Sequence, residues 1–331
     1  MTESFEVTEQ KQAISKPRRP WLVPFVTSCV VTGAVLVGLF EDETLKKFVG
    51  HFSNTNMACL LAAFAIAPAL HYARAWRFSS LVSGSARLPS LTIFCVTTYS
   101  TLFSWLLPFR TGELSLPFLA RRKLHIPIAT GIGVLLLIRM LDIAVMAGLG
   151  GVAGVIVLTD RTTSLASGVV IFASLAVLAC VYVITRFARA APRVSRWRFG
   201  AKTASRLFEG VQQIGQPREF MRVVVITTAI WLLYFLICFL SLKAFAVGAG
   251  FLQATFAGAA GGLAAALPIN GIGGIGPMQG VWALALNHIG VEWTLSVFLS
   301  FAAYGIFVSS TIIISAIAFA ASVAASATGG E

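Results

Sequence analysis

The chain has 331 residues, of which 57% are hydrophobic and only 11% are charged. Soluble domains carry about 25% charged residues, so this composition excludes a soluble globular protein and indicates an integral membrane protein. The net charge of +12 does not indicate a nucleic-acid-binding protein. The basic residues lie between the apolar stretches, and their placement fits loops on the cytoplasmic side of a membrane, which are rich in Lys and Arg.

The first third of the chain predicts a polar tail and two spans. Residues 1–20 are polar and contain Lys and Arg, so we expect a cytoplasmic tail. The apolar stretch 21–40 is longer than the apolar region of a signal peptide and predicts an uncleaved first span. The second span covers 57–70, and Arg74 and Arg77 are expected to mark its cytoplasmic end.

A break at Pro108 follows the next apolar stretch, 88–108. The basic triplet 121–123 comes soon after it, and a full crossing would place this triplet outside the cell. The sequence therefore favours a re-entrant hairpin that breaks at Pro108 and returns. Two spans, 126–158 and 166–187, follow, and they lead into a basic segment, 186–222, that we expect to be a cytoplasmic loop beside anionic head groups.

The second half of the chain repeats this pattern. After a span at 223–247, the stretch 250–290 breaks at Pro268 and predicts a second hairpin, and the last span is 292–325. The halves 21–158 and 166–325 would have opposite orientations, which is typical of alternating-access transporters. The predicted fold class is an all-α polytopic membrane protein with about six to eight transmembrane helices and an inverted repeat with two re-entrant or broken-helix hairpins. Eight ordinary spans are the alternative.

Two pairs of ionisable residues lie in or near the predicted membrane segments. Arg110 and Glu113 follow the first break, and Arg139 and Asp142 lie inside the third span. The three-residue spacing of each pair allows pairing on one helix face. Ionisable residues in the membrane usually face a cavity or a partner. The arginines could hold a lipid phosphate, with the acids orienting them or carrying a proton; the alternative is two static ion pairs.

A glycine-rich segment follows the second break and would permit positive φ angles and close backbone approach. Helix ends that meet there would offer free N–H groups to an anion, and a tightly packed loop without a ligand is the alternative. The candidate substrate-binding residues are Arg110, Gly112, Glu113, Arg139, Asp142, Pro268, Asn270, Gly273, Gly274, Gly276 and Gln279.

Enzyme signatures are absent from the sequence, which has no HExxH, GxSxG or Walker motif. The five cysteines lie in apolar stretches without metal-ligand spacing. We therefore predict no catalytic residue, metal or cofactor, and we expect a protein that is not an enzyme. Two alternatives stay open: an integral membrane lipid-modifying enzyme or glycosyltransferase, and a membrane anchor subunit for a lipid synthase.

Three motifs together resemble the flippase-like transmembrane domain of lysylphosphatidylglycerol synthases. They are Leu107-Pro108-Phe109-Arg110-Thr111-Gly112-Glu113, then Arg139-Met140-Leu141-Asp142, then Leu267-Pro268 with Gly273-Gly274-Ile275-Gly276. In the bifunctional synthases this domain moves aminoacylated phosphatidylglycerol between leaflets, while a separate cytosolic domain makes that lipid. This chain stops at Glu331 without such a domain, so the resemblance implies a stand-alone lipid translocase over about residues 21–325.

The resemblance also implies partners and a location. We expect the protein to lie in the bacterial inner membrane with both termini in the cytoplasm. We also expect it to act on an anionic phospholipid or glycolipid supplied by a separate lipid-synthesising enzyme, and an oligomer is compatible with this. The family often has Glu where this chain has Ile138 and Gln279. These departures weaken any proton-coupling or cationic-head-group role for those two positions.

Overall fold

The computed structural model describes residues 55–83, 88–190, 216–267 and 272–328. The predicted tail and first span, most of the basic loop 186–222, and the candidate residues Pro268 and Asn270 lie outside this part. The described residues form these α-helices: α1 Met57–Ser83, α2 Leu91–Leu106, α3 Ser115–Leu124, α4 Ile128–Val157, α5 Arg161–Ala190, α6 Pro217–Ala244, α7 Phe251–Ala265, α8 Pro277–His288 and α9 Trp293–Thr328.

Five of these helices are long and apolar enough to cross a membrane: α1, α4, α5, α6 and α9. The described part of the chain contains no strand. The predicted fold class, an all-α polytopic membrane protein, is therefore confirmed. One boundary is wrong: α1 does not end before Arg74 but continues to Ser83, so Arg74 and Arg77 lie inside this helix rather than in a loop.

The first hairpin consists of α2, a 3-10 helix at Pro108–Leu114, and α3. Ser90 caps the start of α2, because its Oγ accepts a hydrogen bond from the backbone N–H of Ile93 at 3.3 Å. Pro108 disfavours helical geometry at the preceding residue, and Leu107 is extended with φ −87° and ψ 139°. The 16 residues of α2 reach about 24 Å, which is less than the ~30 Å thickness of the hydrocarbon core.

The second hairpin has the same construction. It consists of α7, a 3-10 helix at Ile272–Gly274, and α8, which begins at Pro277. Proline suits the first position of a helix, because the N–H that it lacks would have no partner within the helix. Helices α7 and α8 have 15 and 12 residues, and each is too short to span a bilayer alone.

The second hairpin enters the bundle from the end where α4 finishes. Helix α7 packs antiparallel to α4, since Ala259 lies against Gly150 and the later residue Gly262 lies against Met146. Helix α8 then returns, and its last residue, His288, shares a groove with the C-terminal end of α4. The tip of this hairpin therefore lies near the middle of α4.

The first hairpin enters from the opposite end. Helix α9 starts where α8 finishes. Helix α2 starts beside the C-terminal half of α9, because the thiol of Cys95 in α2 donates to the carbonyl oxygen of Ala318 in α9 at 3.5 Å. Near its own end, α2 places Trp105 against Tyr304 in the first half of α9. Helix α3 then packs beside the start of α4, with Pro117 against Gly131.

The tips of the two hairpins meet inside the bundle. Their two 3-10 helices are in contact with each other, and the Trp105 carbonyl faces Gly274. The residues that break α2 and α7 therefore produce one irregular region between opposed short helices. The two hairpins therefore enter from opposite ends and meet, as an inverted repeat requires.

Most basic residues of the described loops and helix ends lie at one end of the bundle. Helices α3 and α5 finish, and α6 begins, at the end where α4 starts. This end, which we call the basic end, carries Arg121, Arg122, Lys123, Arg186, Arg218 and Arg222. The opposite end carries Asp160, Arg161, Lys243 and Glu292.

Glycines in the second half of α4 allow its neighbours to approach closely. A Cβ at Gly150 would overlap the Cβ of Ala259 in α7, and a Cβ at Gly154 would lie 2.6 Å from the Oγ of Ser167 in α5. Small residues four apart are a common contact surface between membrane helices, because they let backbones pack closely. Gly150 therefore lets the second hairpin pack closely against α4, and Gly154 does the same for α5.

We predict that Gly150→Ala lowers the thermal unfolding temperature of the detergent-solubilised protein. The added methyl group overpacks the α4–α7 contact, at a cost of about 1–3 kcal/mol. The matched control is Gly168→Ala on α5, where a Cβ would meet no atom within 4 Å. Equal melting temperatures for the two variants would contradict the packing described above.

Candidate functional site

A cavity of about 170 Å³ lies where the two hairpin tips meet. Helices α1, α2, α4 and α6 form its walls, with Gly274 and Met278 from the second hairpin and Glu113 from the first. Its charged lining residues are Arg74, Arg77, Glu113, Arg139 and Asp142. The cavity thus brings together ionisable residues from helices that are far apart in sequence.

The best-buried pair in the cavity joins α1 to α4. Arg77 Nη1 donates to Asp142 Oδ1 at 2.5 Å, and Arg77 Nη2 donates to Oδ2 at 3.2 Å. The two side chains are only 6% and 9% exposed. Two side chains of α6 complete the network: Trp231 Nε1 donates to Asp142 Oδ1 at 3.0 Å, and Thr227 Oγ1 accepts from Arg77 Nη1 at 3.3 Å. This bidentate pair fixes three helices to one another.

A second pair joins α4 to the tip of the first hairpin. Arg139 Nε donates to Glu113 Oε2 at 2.7 Å, and Arg139 Nη2 lies 2.6 Å from Oε1. The predicted pair of Arg139 with Asp142 is present at 4.0 Å, but each residue has a closer partner on another element. The side chain of Arg110 lies outside the described part, so its predicted pairing with Glu113 stays a prediction.

Arg74 differs from the other two arginines of the cavity. It lines the cavity one helical turn before Arg77, and Asp142 and Tyr234 lie within electrostatic range of its guanidinium. In the part of the chain that the structure describes, no acceptor lies at hydrogen-bond distance from this group. Arg74 is therefore available to a ligand.

The charges of the cavity do not balance. Its described lining has three arginines and two carboxylates, which leaves one positive charge. An uncompensated charge in a membrane interior is unfavourable, so such a group usually marks a pathway or a binding site. An anion with a single negative charge would neutralise these five described residues.

Hydroxyl groups cover one wall of the cavity. Thr97, Ser100, Thr101 and Ser104 of α2 all line it, and their spacing of three and four residues places them on one face of the helix. The cavity is therefore polar along α2 as well as charged along α1 and α4.

Several predicted site residues shape the hairpin tips. Gly274 lines the cavity with φ +72°, and a Cβ there would lie 3.3 Å from the hydroxyl of Tyr304. Gly112 is buried against the end of α2, and a Cβ there would overlap the Phe103 carbonyl oxygen. Both glycines are required for close packing of the tips.

Three further candidates lie at the tip of the second hairpin without lining the cavity, as far as the described residues define it. Gly273 and Gly276 have positive φ angles of 68° and 144°, which L side chains rarely adopt. Gln279 is 2% exposed, and its Oε1 accepts from the N–H of Gly276 at 2.8 Å. Gln279 therefore caps α8, as the third residue of a capping box does.

Sequence reasoning missed Arg74, Arg77 and the hydroxyls of α2. A signal for the arginines was present, because the apolar pattern continues after them at helical spacing, with Phe78, Leu81 and Val82. That continuation indicates that the helix extends beyond the two arginines and that they lie within it.

A family model described as the lysylphosphatidylglycerol synthase TM region matches residues 25–318 of this chain. The chain belongs to this family. The match covers both hairpins, the cavity and all five candidate spanning helices up to residue 318. A search of curated proteins finds no match to the chain.

We predict that Asp142→Leu strongly destabilises the protein, because it leaves the Arg77 guanidinium buried without its carboxylate. Breaking a buried pair in this way costs about 3–5 kcal/mol, whereas replacing both partners by apolar residues is often tolerated. We therefore expect the double variant Arg77→Met/Asp142→Leu to recover most of the lost thermal stability in detergent.

The control for this experiment is Glu219→Gln. Glu219 pairs with Arg222 at 3.4 Å near the start of α6, and both side chains are partly exposed. Pairs of this kind contribute about 0–1 kcal/mol. A loss of stability in Glu219→Gln as large as that in Asp142→Leu would contradict the structural role of the buried pair.

Proposed function

We propose that the protein translocates an anionic phospholipid, or a related anionic lipid, between the leaflets of a bacterial inner membrane. The observation that carries the proposal is the excess positive charge among the described residues that line the cavity between the opposed hairpin tips. Arg77 and Arg139 are engaged with carboxylates, so Arg74 is the residue that we assign to the lipid phosphate. A guanidinium can offer two parallel hydrogen bonds to a phosphate.

The size of the cavity supports binding of a head group rather than of a whole lipid. Its volume of about 170 Å³ is below the roughly 300–1,000 Å³ of sites that enclose drug-sized ligands. At the end of α2, Phe103, Leu106 and Leu107 expose apolar surface beside the hairpin tip. The acyl chains would stay in the bilayer along such surfaces while the polar head group occupies the cavity.

The opposed hairpins suggest how the head group could reach either leaflet. Hairpins that enter from opposite ends and meet in the middle place one site between two halves, as in transporters with inverted repeats. Small movements of one hairpin against the other would open the cavity toward one end at a time. Transport of this kind needs no covalent chemistry, so we propose a translocase and not an enzyme.

The charge distribution supports an orientation for this transport. Basic loops face the cytoplasm by the positive-inside rule, which assigns the basic end to the cytoplasmic side. Helix α9 finishes at that end, in agreement with a cytoplasmic C-terminus. A separate lipid-synthesising enzyme would then deliver its product to the basic end.

The proposal predicts that Arg74→Gln reduces translocation of labelled phosphatidylglycerol in proteoliposomes by about tenfold or more, because a charged hydrogen-bond donor to the phosphate is lost. Arg74→Lys keeps the charge without the planar fork and should retain part of the activity. The measurement is the fraction of lipid that becomes accessible to a membrane-impermeant quencher over time.

The control variant is Arg222→Gln, which removes a positive charge from the basic end outside the cavity. It should translocate lipid at close to the wild-type rate. If Arg74→Gln translocates lipid at the wild-type rate, Arg74 does not have the proposed role. If liposomes that contain the wild-type protein move no lipid, the proposed function is overturned.

A further inference from the structure

A second cavity lies away from the hairpin tips, toward the end of the bundle opposite to the basic end. It is a groove of about 290 Å³ that is lined by α5, by the second half of α4 and by α7 and α8 of the second hairpin. We call it the α5–α7 groove. Its described lining contains no Asp, Glu, Lys or Arg, whereas the cavity between the hairpin tips contains five such residues. The groove is therefore a separate site with a different chemistry.

The groove has the length of an acyl chain in one leaflet. Along α4 it reaches from Leu158, at the end of the helix, inward to Ala147, which is about 16 Å at 1.5 Å per residue. Leu263 of α7 lies at the same inner depth, since Gly262 contacts Met146. The hydrocarbon core is ~30 Å thick, so each leaflet contributes about 15 Å. The groove thus extends through one leaflet, from its rim to near the middle of the bilayer.

The polar side chains of the groove have partners within the protein or lie at the rim. Ser167 Oγ donates to the carbonyl oxygen of Thr163 at 3.0 Å, and Thr163 Oγ1 donates to that of Asp160 at 2.9 Å. His288 is exposed where α8 ends. Among the described lining residues, no buried side-chain donor is left without a partner. A polar ligand would find little to bind in the inner part of this groove, so the groove favours hydrocarbon.

The size of the groove excludes a transmembrane helix as its occupant. A helix with its side chains is about 10–12 Å wide, so a 16 Å length of helix fills roughly 1,250 Å³. The groove provides about 290 Å³, and it opens to the bilayer beside Ala166 and Val170 of α5, which are exposed. A single hydrocarbon chain is narrow enough to enter there.

We infer that the α5–α7 groove binds one acyl chain of a phospholipid from the leaflet at the end of the bundle opposite to the basic end. The head group lies at the rim near Thr163 and His288, and the end of the chain lies beside Ala147 and Leu263. The chain contacts α5 and the second hairpin at once, so it supports the position of this hairpin. The inference goes beyond the proposed function, because it concerns a separate site and does not require that the protein moves lipid.

The first test uses the wild-type protein in phosphatidylcholine nanodiscs and two photoactivatable phosphatidylcholines. One lipid carries a diazirine at the end of an acyl chain, and the other carries it close to the glycerol. We expect the chain-end probe to cross-link around Ala147 and Leu263, and the glycerol-proximal probe to cross-link around Leu158 and His288, with the sites located by mass spectrometry. Phe172 is the reference for lipids that only surround the protein, since it is 76% exposed on α5 and does not line the groove.

The second test obstructs the opening of the groove. Ala166→Trp should reduce cross-linking of the chain-end probe to Leu263 by about tenfold, the factor that corresponds to the burial of about two methylene groups. Val170→Trp, at the same opening, should do the same, and it replaces Ala166→Trp if that variant does not fold. The control is Ala173→Trp, which is exposed on α5 outside the groove and should leave this cross-linking unchanged.

Two results would overturn the inference. In the first, both probes label the groove residues no more than Phe172 or without the expected difference in depth, as surrounding lipid does. In the second, the tryptophan variants at the opening keep the wild-type cross-linking to Leu263. Either result leaves the proposed function in place, and a wild-type protein that moves no lipid in proteoliposomes overturns the proposed function without affecting the groove.

Discussion

The bidentate pair between Arg77 and Asp142 is the interaction on which the rest of the site depends. It joins two long helices, α1 and α4, and a third, α6, contributes Trp231 and Thr227 to the same network. Lipid provides no solvation for charged groups, so these side chains are stable only in each other's presence. With this pair fixed, the opposed hairpin tips close around a cavity that has a defined shape and a defined excess charge.

The second pair, Arg139 with Glu113, has a different place in the structure. Glu113 belongs to the tip of the first hairpin, whereas Arg139 is anchored on α4, and its side chain is 33% exposed. A pair that joins a hairpin tip to a spanning helix, in a partly open cavity, is suited to rearrange when a hairpin moves. The buried pair thus holds the scaffold together, while the more exposed pair ties a hairpin to it.

Much of the fold could be predicted from sequence because its signals are local. Apolar lengths located the spans that the structure describes, and the proline at 108 located the first break within two residues of the end of α2. The partners of the charged residues could not be predicted in this way. Asp142 is three residues from Arg139, but its closest contact, Arg77, is 65 residues away and depends on the packing of α1 against α4. Arg74 and Arg77 therefore looked like the end of a helix, because the carboxylate that pairs with Arg77 is distant in sequence.

The most direct measurement is an experimental structure of the full chain in nanodiscs that contain phosphatidylglycerol. We expect a phosphate within hydrogen-bond distance of the Arg74 guanidinium, between the two hairpin tips, with Arg77 and Asp142 still paired. A structure in which lipid head groups occupy only the two membrane surfaces, and in which Arg74 is paired with a carboxylate of the protein, would contradict it.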